Sequence, residues 1–200
     1  MKVYSQNVYI WLILLLISAC TPAATLTKEV VTIETRPAST GKYHPLNTRT
    51  MIEEIDTVLA AVESGNKQEL INLFHYSSIA CMTVNALGGP PPCRAGEAEG
   101  TIVEVLPILG PEGSYLWKDE ISSWTGPEAV GLFAIYQVSD SVFSDENYPK
   151  GDYGIILVGD ENTSHIVLHA RNGRIVRLDY PAALDEILAR DASKIILSPK

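Results

Sequence analysis

The chain has 200 residues, of which 46% are hydrophobic and 20% charged, values that suit one compact domain with short extensions. It carries 24 acidic residues against 15 lysines and arginines, a formal net charge of -9. A protein that neutralises many phosphates needs clustered cations, so this balance disfavours nucleic acid as a partner. Three cysteines among 12 prolines and 14 glycines exclude a dense disulfide scaffold, a zinc ribbon and a collagen-like repeat.

The N-terminus has the features of an export signal. Lys2 precedes ten consecutive apolar residues, 8–17, which is about half of the roughly 20 that a helix needs to span a bilayer. The motif Ile17-Ser18-Ala19-Cys20 resembles the lipobox of bacterial lipoproteins, in which an aliphatic residue and two small residues precede a cysteine that is lipidated before cleavage. The resemblance implies a signal peptide over residues 1–19. The alternatives are an uncleaved short anchor and an ordinary secretory signal.

Lipidation of Cys20 would tether the protein outside the cytoplasm, at the cell membrane or elsewhere in the cell envelope. Each buried methylene of an acyl chain contributes about 0.8 kcal/mol, so several chains together give stable anchoring. The choice between inner and outer membrane stays open. Residues 20–48 contain three prolines, many serines and threonines and little periodic apolar pattern, which predicts a flexible linker.

Two cysteines remain after Cys20 is assigned to the lipid. Cys81 and Cys93 lie in an exported chain, where thiols tend to pair, and the segment between them is rich in Gly and Pro. The spacing therefore predicts a disulfide that holds an irregular loop and stabilises the fold by roughly 3 kcal/mol. A redox or metal-binding pair is disfavoured, because there is no C-x-x-C spacing and the nearest histidine is His75.

Two amphipathic helices are predicted at the start of the folded region. In T-M-I-E-E-I-D-T-V-L-A-A-V-E-S-G, which begins at Thr50, apolar residues recur at helical spacing and Gly65 marks the end. Asn66 and Glu69 form a capping-box pattern for a second, shorter helix, whose inward side chains end at Phe74.

β-rich segments follow the segment between Cys81 and Cys93, which we call the cysteine loop. Residues 101–106 predict a strand that ends at Pro107, and the helical spacing of tryptophans predicts a short helix over residues 116–124. Residues 130–139 and 153–158 predict central strands. The loop between these two strands is acidic but lacks the spacing of a calcium loop, so no metal site is predicted there.

Asn172-Gly173 is the strongest hairpin signal in the chain, because both residues tolerate positive φ. It joins predicted strands at residues 164–171 and 174–180. Beyond them, Pro181 suits the first turn of a short C-terminal helix that ends before Asp191.

The two-residue turn also predicts which residues share a face. His169 is expected opposite Val176 and His165 opposite Tyr180, all on one face of the sheet, whereas Arg177 is expected on the other. Both faces carry apolar residues, so both are expected to be covered.

The order of elements is similar to that of a known superfamily. Two helices of pattern I-x-x-I-D-x-V-L-x-A-V-x-S-G-N-x-x-x-L-x-x-L precede strands and a late hairpin that ends G-R-I-V-R-L-D-Y. This looks like the nuclear-transport-factor-2-like, or ketosteroid-isomerase-like, superfamily. The resemblance implies an α+β fold with a curved, mainly antiparallel sheet wrapped as a cone over N-terminal helices, and a homodimer through the outer sheet face. We therefore expect a single domain over residues 49–192, with a short C-terminal helix, and a tail at 193–200.

The superfamily resemblance directs attention to three side chains of the hairpin. Enzymes of the superfamily place Asp, His, Tyr or Arg in the cavity of the cone, so His169 is the candidate acid/base group, Tyr180 a hydrogen-bond donor and His165 a second base. The alternative is structural, because a histidine beside valines on a strand usually serves packing. Histidines four residues apart on a strand lie roughly 13 Å apart, so no metal site is predicted, and no motif implies a cofactor.

Three functions stay open at this point. The leading hypothesis is a lipid-anchored extracytoplasmic binding or accessory domain without catalytic turnover, which takes a small apolar ligand or a protein partner and uses the cysteine loop as a contact element. The first alternative is an isomerase, dehydratase or cyclase for a small molecule, with His169 as base. The second alternative is an accessory subunit of a cell-envelope complex that works through the outer sheet face.

Overall fold

The computed structural model describes residues 42–84, 86–110, 112–159, 165–181 and 183–200. The signal peptide, the lipobox with Cys20 and the linker up to residue 41 lie outside the described residues. Within the described part, helices and strands follow one another in this order: α1 Glu53–Ser64, α2 Lys67–Asn72, β1 Ser77–Ala80, β2 Ile102–Leu109, β3 Ser114–Trp117, a 3-10 helix Lys118–Ser123, β4 Ala129–Val138, β5 Tyr153–Gly159, β6 His165–Arg171, β7 Arg174–Asp179, α3 Leu184–Asp191 and β8 Ala192–Leu197.

The described strands form one open sheet in the order β1-β2-β7-β6-β5-β4-β8, with β3 paired to β2. The pairs are antiparallel except for the short parallel contact between β2 and β7. The predicted class, α+β with a mainly antiparallel sheet, is therefore confirmed.

The two predicted N-terminal helices are present. The side chains of Ile55, Val58 and Leu59 on α1 are fully buried, and Gly65 ends the helix at φ +65°. The side chain of Asn66 accepts a hydrogen bond from the backbone N–H of Gln68, so it caps α2 as its sequence position predicts.

The sheet packs on both faces, as expected from its two apolar faces. We call one the α1 face, because Leu168 and Ile175 join the core cluster that contains the buried side chains of α1. We call the other the α3 face, because Val167 and Ile156 pack with Ile187 of α3. α3 therefore covers part of this face of the sheet.

Two local predictions are wrong in β2 and β3. β2 continues through Pro107 to Leu109, since its pairing with β1 ends at Val105 and its pairing with β7 starts at Ile108. Pro107 has a partner in neither of these two ladders and pairs instead with Tyr115 of β3. The segment predicted as a helix over residues 116–124 begins as a strand, because it pairs with β2 up to Trp117, and only then forms the 3-10 helix.

The β6–β7 hairpin is present, with Asn172 and Gly173 at φ +52° and +66°. Its register changes after the second pair, where His169 pairs with Arg177 rather than with Val176. A β-bulge adds one residue to β7 here, so every later residue of β7 lies on the face opposite to the expected one. The predicted register beyond this point is wrong, and Arg177 shares the α3 face with His169.

Both predicted ends of the domain differ from the structure. Tyr43 is buried and His44 forms a β-bridge with Leu132, so residues 43 and 44 of the predicted linker pack on β4. At the other end, most of the predicted tail forms β8, because its backbone pairs with the free edge of β4.

Candidate functional site

The three hairpin side chains chosen from the sequence separate into two environments. His165 and Tyr180 line one cleft of about 360 Å³ at the end of the sheet. His169 does not reach this cleft and is fully buried on the α3 face. The three residues therefore do not form one site.

The cleft, which we call the His165 cleft, has apolar walls with polar groups from separate segments. Leu157 of β5 and Ile166 of β6 contribute apolar surface, and the loop before β4 contributes Glu128. Tyr180 follows β7 and is 42% exposed. Convergence of a few polar groups on an apolar concavity is typical of small-molecule sites.

The two ionisable groups chosen from the sequence have shifted pKa values in the His165 cleft. Burial and, to a smaller extent, the positive charge of Lys42 lower the pKa of His165 below its ordinary value. Burial raises the pKa of Tyr180 and outweighs the opposing effect of its hydrogen bond with Trp124. At neutral pH the cleft therefore presents a neutral imidazole and a protonated phenol.

His169 is part of a buried charge network. Its Nε2 lies 3.0 Å from Oδ2 of Asp179, and its Nδ1 accepts a 3.3 Å hydrogen bond from the backbone N–H of Gly151. Nη2 of Arg177 lies 3.1 Å from the same Nε2, so this ring nitrogen contacts both a carboxylate and a guanidinium. Both ring nitrogens are engaged and the residue is 0% exposed, so this geometry gives His169 no access to a substrate.

Arg177 holds the same carboxylate and reaches beyond it. Its Nε donates to Oδ1 of Asp179 at 2.7 Å and its Nη2 to Oδ2 at 3.0 Å, a two-pronged pairing. Its Nη1 donates to the backbone oxygens of Phe143 and Tyr148 at 2.9 and 3.1 Å. A guanidinium with no exposed surface therefore fixes the loop between β4 and β5 to the sheet.

The pKa of Asp179 reflects this environment. Burial raises the pKa, but the interactions with His169 and Arg177 lower it more, so the net shift is downward. The carboxylate is therefore ionised at neutral pH and balances the charge of Arg177. Sequence analysis missed this network, because the bulge that brings Arg177 and Asp179 to the face of His169 has no glycine or other turn signal in β7.

Tyr136 is a further buried polar residue of the α3 face. Its hydroxyl is the one buried side-chain polar atom in the described part of the chain without a hydrogen-bond partner. Burial, followed by the charges of Asp191 and Asp179, raises its pKa, so the phenol stays protonated. Tyr180 and these two aspartates also line a second cleft of about 380 Å³ beside α3.

The predicted disulfide between Cys81 and Cys93 is confirmed, with 4.9 Å between the two Cα atoms. It closes an irregular loop whose Leu87 side chain is 81% exposed. Among the described residues, no three His, Cys, Asp or Glu side chains come together in a way that could hold a metal ion.

Comparisons with known proteins found no relative of this chain. No family model matches the chain, and neither the curated proteins nor the solved structures contain a match. The class of protein is therefore defined by the fold and the clefts alone: an α+β domain with an eight-stranded, mostly antiparallel open sheet. None of the helices in the described ranges has the length and apolar character needed to cross a membrane.

Proposed function

We propose that this protein is a lipid-anchored extracytoplasmic binding domain that takes a small ligand in the His165 cleft without turning it over. The lipobox-like motif supports the location, since it places a cysteine two small residues after a short apolar segment. The observation that carries the binding function is the convergence of His165, Tyr180 and Glu128 on apolar walls in one cleft of about 360 Å³.

The cleft favours a ligand of a definite kind. Its volume lies near the lower end of the roughly 300–1,000 Å³ found for small-molecule sites. Its imidazole is neutral and its phenol protonated, and the carboxylate of Glu128 disfavours an anion. The ligand in this proposal has a mainly apolar body and an uncharged oxygen that accepts a hydrogen bond from the Tyr180 phenol.

The proposed fold is the cone of the nuclear-transport-factor-2-like superfamily. Its support is the order of two helices before the strands and the packing of α1 against the late hairpin through Ile55, Leu168 and Ile175. In that arrangement the His165 cleft lies at the end of the β5–β6 pair. The proposal concerns architecture and assigns no activity by itself.

Lipid attachment is tested on the whole chain in cells. Metabolic labelling with an alkyne fatty acid is expected to mark the wild-type protein and to leave a Cys20→Ser variant unlabelled and released from the membrane fraction. A Cys93→Ser variant serves as the control, because it also lacks one cysteine. Equal labelling of the Cys20→Ser variant would contradict the anchor.

Ligand binding is tested by native mass spectrometry of the whole chain in detergent, followed by denaturation to release and identify a co-purified molecule. The wild-type protein is expected to carry the molecule, and Tyr180→Phe and His165→Ala variants to lose at least about tenfold in occupancy. His75→Ala is the matched control, because His75 is exposed and lies outside the cleft. Undiminished occupancy in both cleft variants would contradict the proposed site.

A proton-transfer enzyme is the second candidate, and one observation favours it. A neutral imidazole and a protonated phenol in the same cleft can remove a proton beside a carbonyl group and stabilise the resulting oxyanion. In this candidate His165 replaces His169 as the base, since His169 is buried and paired. Deuterium exchange at the carbon beside the carbonyl of the co-purified ligand, lost in His165→Ala, would favour the enzyme over the binding domain.

An accessory subunit of an envelope complex is the third candidate. It is favoured by the strongly exposed apolar side chains of the cysteine loop, Val84 and Leu87, at 67% and 81% exposed. Alanine substitutions across residues 87–92 are expected to weaken capture of the partner, as measured by crosslinking in intact cells. Unchanged crosslinking would contradict the proposal that this loop contacts the partner.

A further inference from the structure

The cleft of about 380 Å³ beside α3, which we call the α3 cleft, has no part in the function proposed above. Its volume lies within the range of roughly 300–1,000 Å³ that is found for small-molecule sites. Leu109 and Pro181 contribute half-buried apolar residues to its wall, and Asp179, Arg190 and Asp191 contribute charged residues. The α3 cleft therefore offers a ligand both apolar and charged surface.

The charges of the α3 cleft belong to two ion pairs. Asp179, with 16% of its side chain exposed, is paired with the fully buried Arg177. Asp191, with 8% of its side chain exposed, is paired with Arg190, whose side chain is 69% exposed. Because positive and negative charges balance in these pairs, the cleft as a whole attracts neither an anion nor a cation. A ligand without net charge suits it best.

The pairing of Arg190 with Asp191 leaves hydrogen-bonding groups of both residues free. Nε of Arg190 donates to Oδ1 of Asp191 at 2.6 Å, and its Nη2 donates to Oδ2 at 2.8 Å. These bonds use one edge of the guanidinium, so Nη1 and the second hydrogen of Nη2 form another donor edge. Nη1 has no hydrogen-bond partner in the part of the chain that the structure describes. Each carboxylate oxygen of Asp191 accepts one of the two bonds and keeps a lone pair for a further donor.

An α-amino acid matches this arrangement of charges. Its ammonium and carboxylate groups are attached to the same carbon atom, so they can contact two neighbouring groups of opposite charge. The ammonium then donates to Oδ2 of Asp191, while the carboxylate accepts from the free edge of Arg190. Arginine binds a carboxylate through two parallel hydrogen bonds, which are strong and directional. The apolar surface of Leu109 and Pro181 gives an aliphatic side chain a place to be buried.

We propose that the α3 cleft binds a zwitterionic α-amino acid with an aliphatic side chain, its carboxylate on Arg190 and its ammonium on Asp191. This site does not depend on the ligand of the His165 cleft, so each proposal can fail while the other stands. Tyr180 lines both clefts, and its substitution would not distinguish them.

Isothermal titration calorimetry of the whole chain in detergent with L-leucine tests this proposal. Saturable binding is expected with Kd below about 1 mM. Isocaproate lacks the ammonium group of leucine and isoamylamine lacks its carboxylate, so each is expected to bind at least about tenfold more weakly through the loss of a charge-assisted contact. Glycine is expected to bind at least about tenfold more weakly, because it has no aliphatic side chain to bury.

Substitution of Arg190 tests the position of the amino acid. Arg190→Lys keeps the positive charge but offers a single ammonium in place of two donor edges, so it is expected to lose at least about tenfold in affinity for L-leucine. Arg174→Lys is the matched control, because Arg174 is exposed at the β6–β7 turn and outside the cleft. Circular dichroism is expected to show the same fold for both variants, since both side chains are largely exposed.

Four results would overturn the proposal. The first is no binding of L-leucine at about 10 mM, and the second is an affinity for isocaproate, isoamylamine or glycine equal to that for L-leucine. The third is a loss of affinity in Arg190→Lys no greater than that in Arg174→Lys. The fourth is a loss in His165→Ala as large as that in Arg190→Lys, since the amino acid would then belong to the His165 cleft.

Discussion

At the scale of single residues, the clearest feature is the network of His169, Arg177 and Asp179. A buried arginine costs desolvation energy, and here one carboxylate and two backbone oxygens compensate for it. Because those oxygens belong to Phe143 and Tyr148, the network connects the sheet to the loop between β4 and β5. Its role in this structure is to position a loop, whereas His165 and Tyr180 line an open cleft.

Asp179→Asn is expected to lower the free energy of unfolding by about 3 kcal/mol at pH 7. The amide keeps the shape of the side chain but leaves the charge of Arg177 buried without a counter-ion. Guanidinium denaturation followed by circular dichroism measures the change. Glu146→Gln, an exposed carboxylate changed in the same way, is expected to stay within about 0.5 kcal/mol of the wild type.

The carboxylate of Asp179 is also expected to make the stability of the fold depend on pH. The pKa of Asp179 is lower in the folded protein than in the unfolded chain, so the unfolded chain binds the proton more tightly. Its contribution is complete above the ordinary aspartate pKa of about 3.9 and is lost as pH falls through the folded-state value. Denaturation between pH 5 and pH 2 is expected to show a steeper loss for the wild type than for Asp179→Asn, and parallel curves would contradict this assignment.

At the scale of elements, the sequence pattern correctly predicted those features that depend on neighbouring residues. The apolar spacing of α1, its terminal Gly65 and the Asn172-Gly173 turn are confirmed, because each depends on residues close in sequence. The bulge in β7 and the continuation of β2 through Pro107 could not be predicted, since each depends on which strand lies alongside. His169 is buried beside Arg177 and Asp179, whereas His165 and Tyr180 line a common cleft.

Close packing between β4 and β5 predicts that a larger residue at position 154 destabilises the sheet. Tyr136 of β4 lies over Gly154 of β5, and a Cβ at position 154 would stand 2.2 Å from the Tyr136 ring. Gly154→Ala is expected to destabilise the protein by about 3 kcal/mol, at the upper end for an overpacked core. Gly110→Ala is the control, because its added Cβ meets nothing within 4 Å. A melting temperature of Gly154→Ala equal to that of the control would contradict the packing.

At the scale of the whole molecule, the Cys81–Cys93 disulfide closes the loop that directly follows β1. A bridge over 12 positions stabilises by roughly 3 kcal/mol through the unfolded chain. Reduction with dithiothreitol is expected to shift the denaturation midpoint of the wild type downward. The doubly substituted Cys81→Ala, Cys93→Ala protein is expected to have the lower midpoint both with and without dithiothreitol. A wild-type midpoint that does not change on reduction would contradict the stabilising role of the bridge.

The sequence by itself determined the α+β class, the two helices, the central strands, the late hairpin and the disulfide, because these follow from periodicity, turn chemistry and cysteine count. It also predicts the lipid anchor, through a motif of neighbouring residues. Only the tertiary structure decided which ionisable groups are buried and which are open. Burial depends on strand register, and a single extra residue in β7 moved Arg177 and Asp179 to the face of His169.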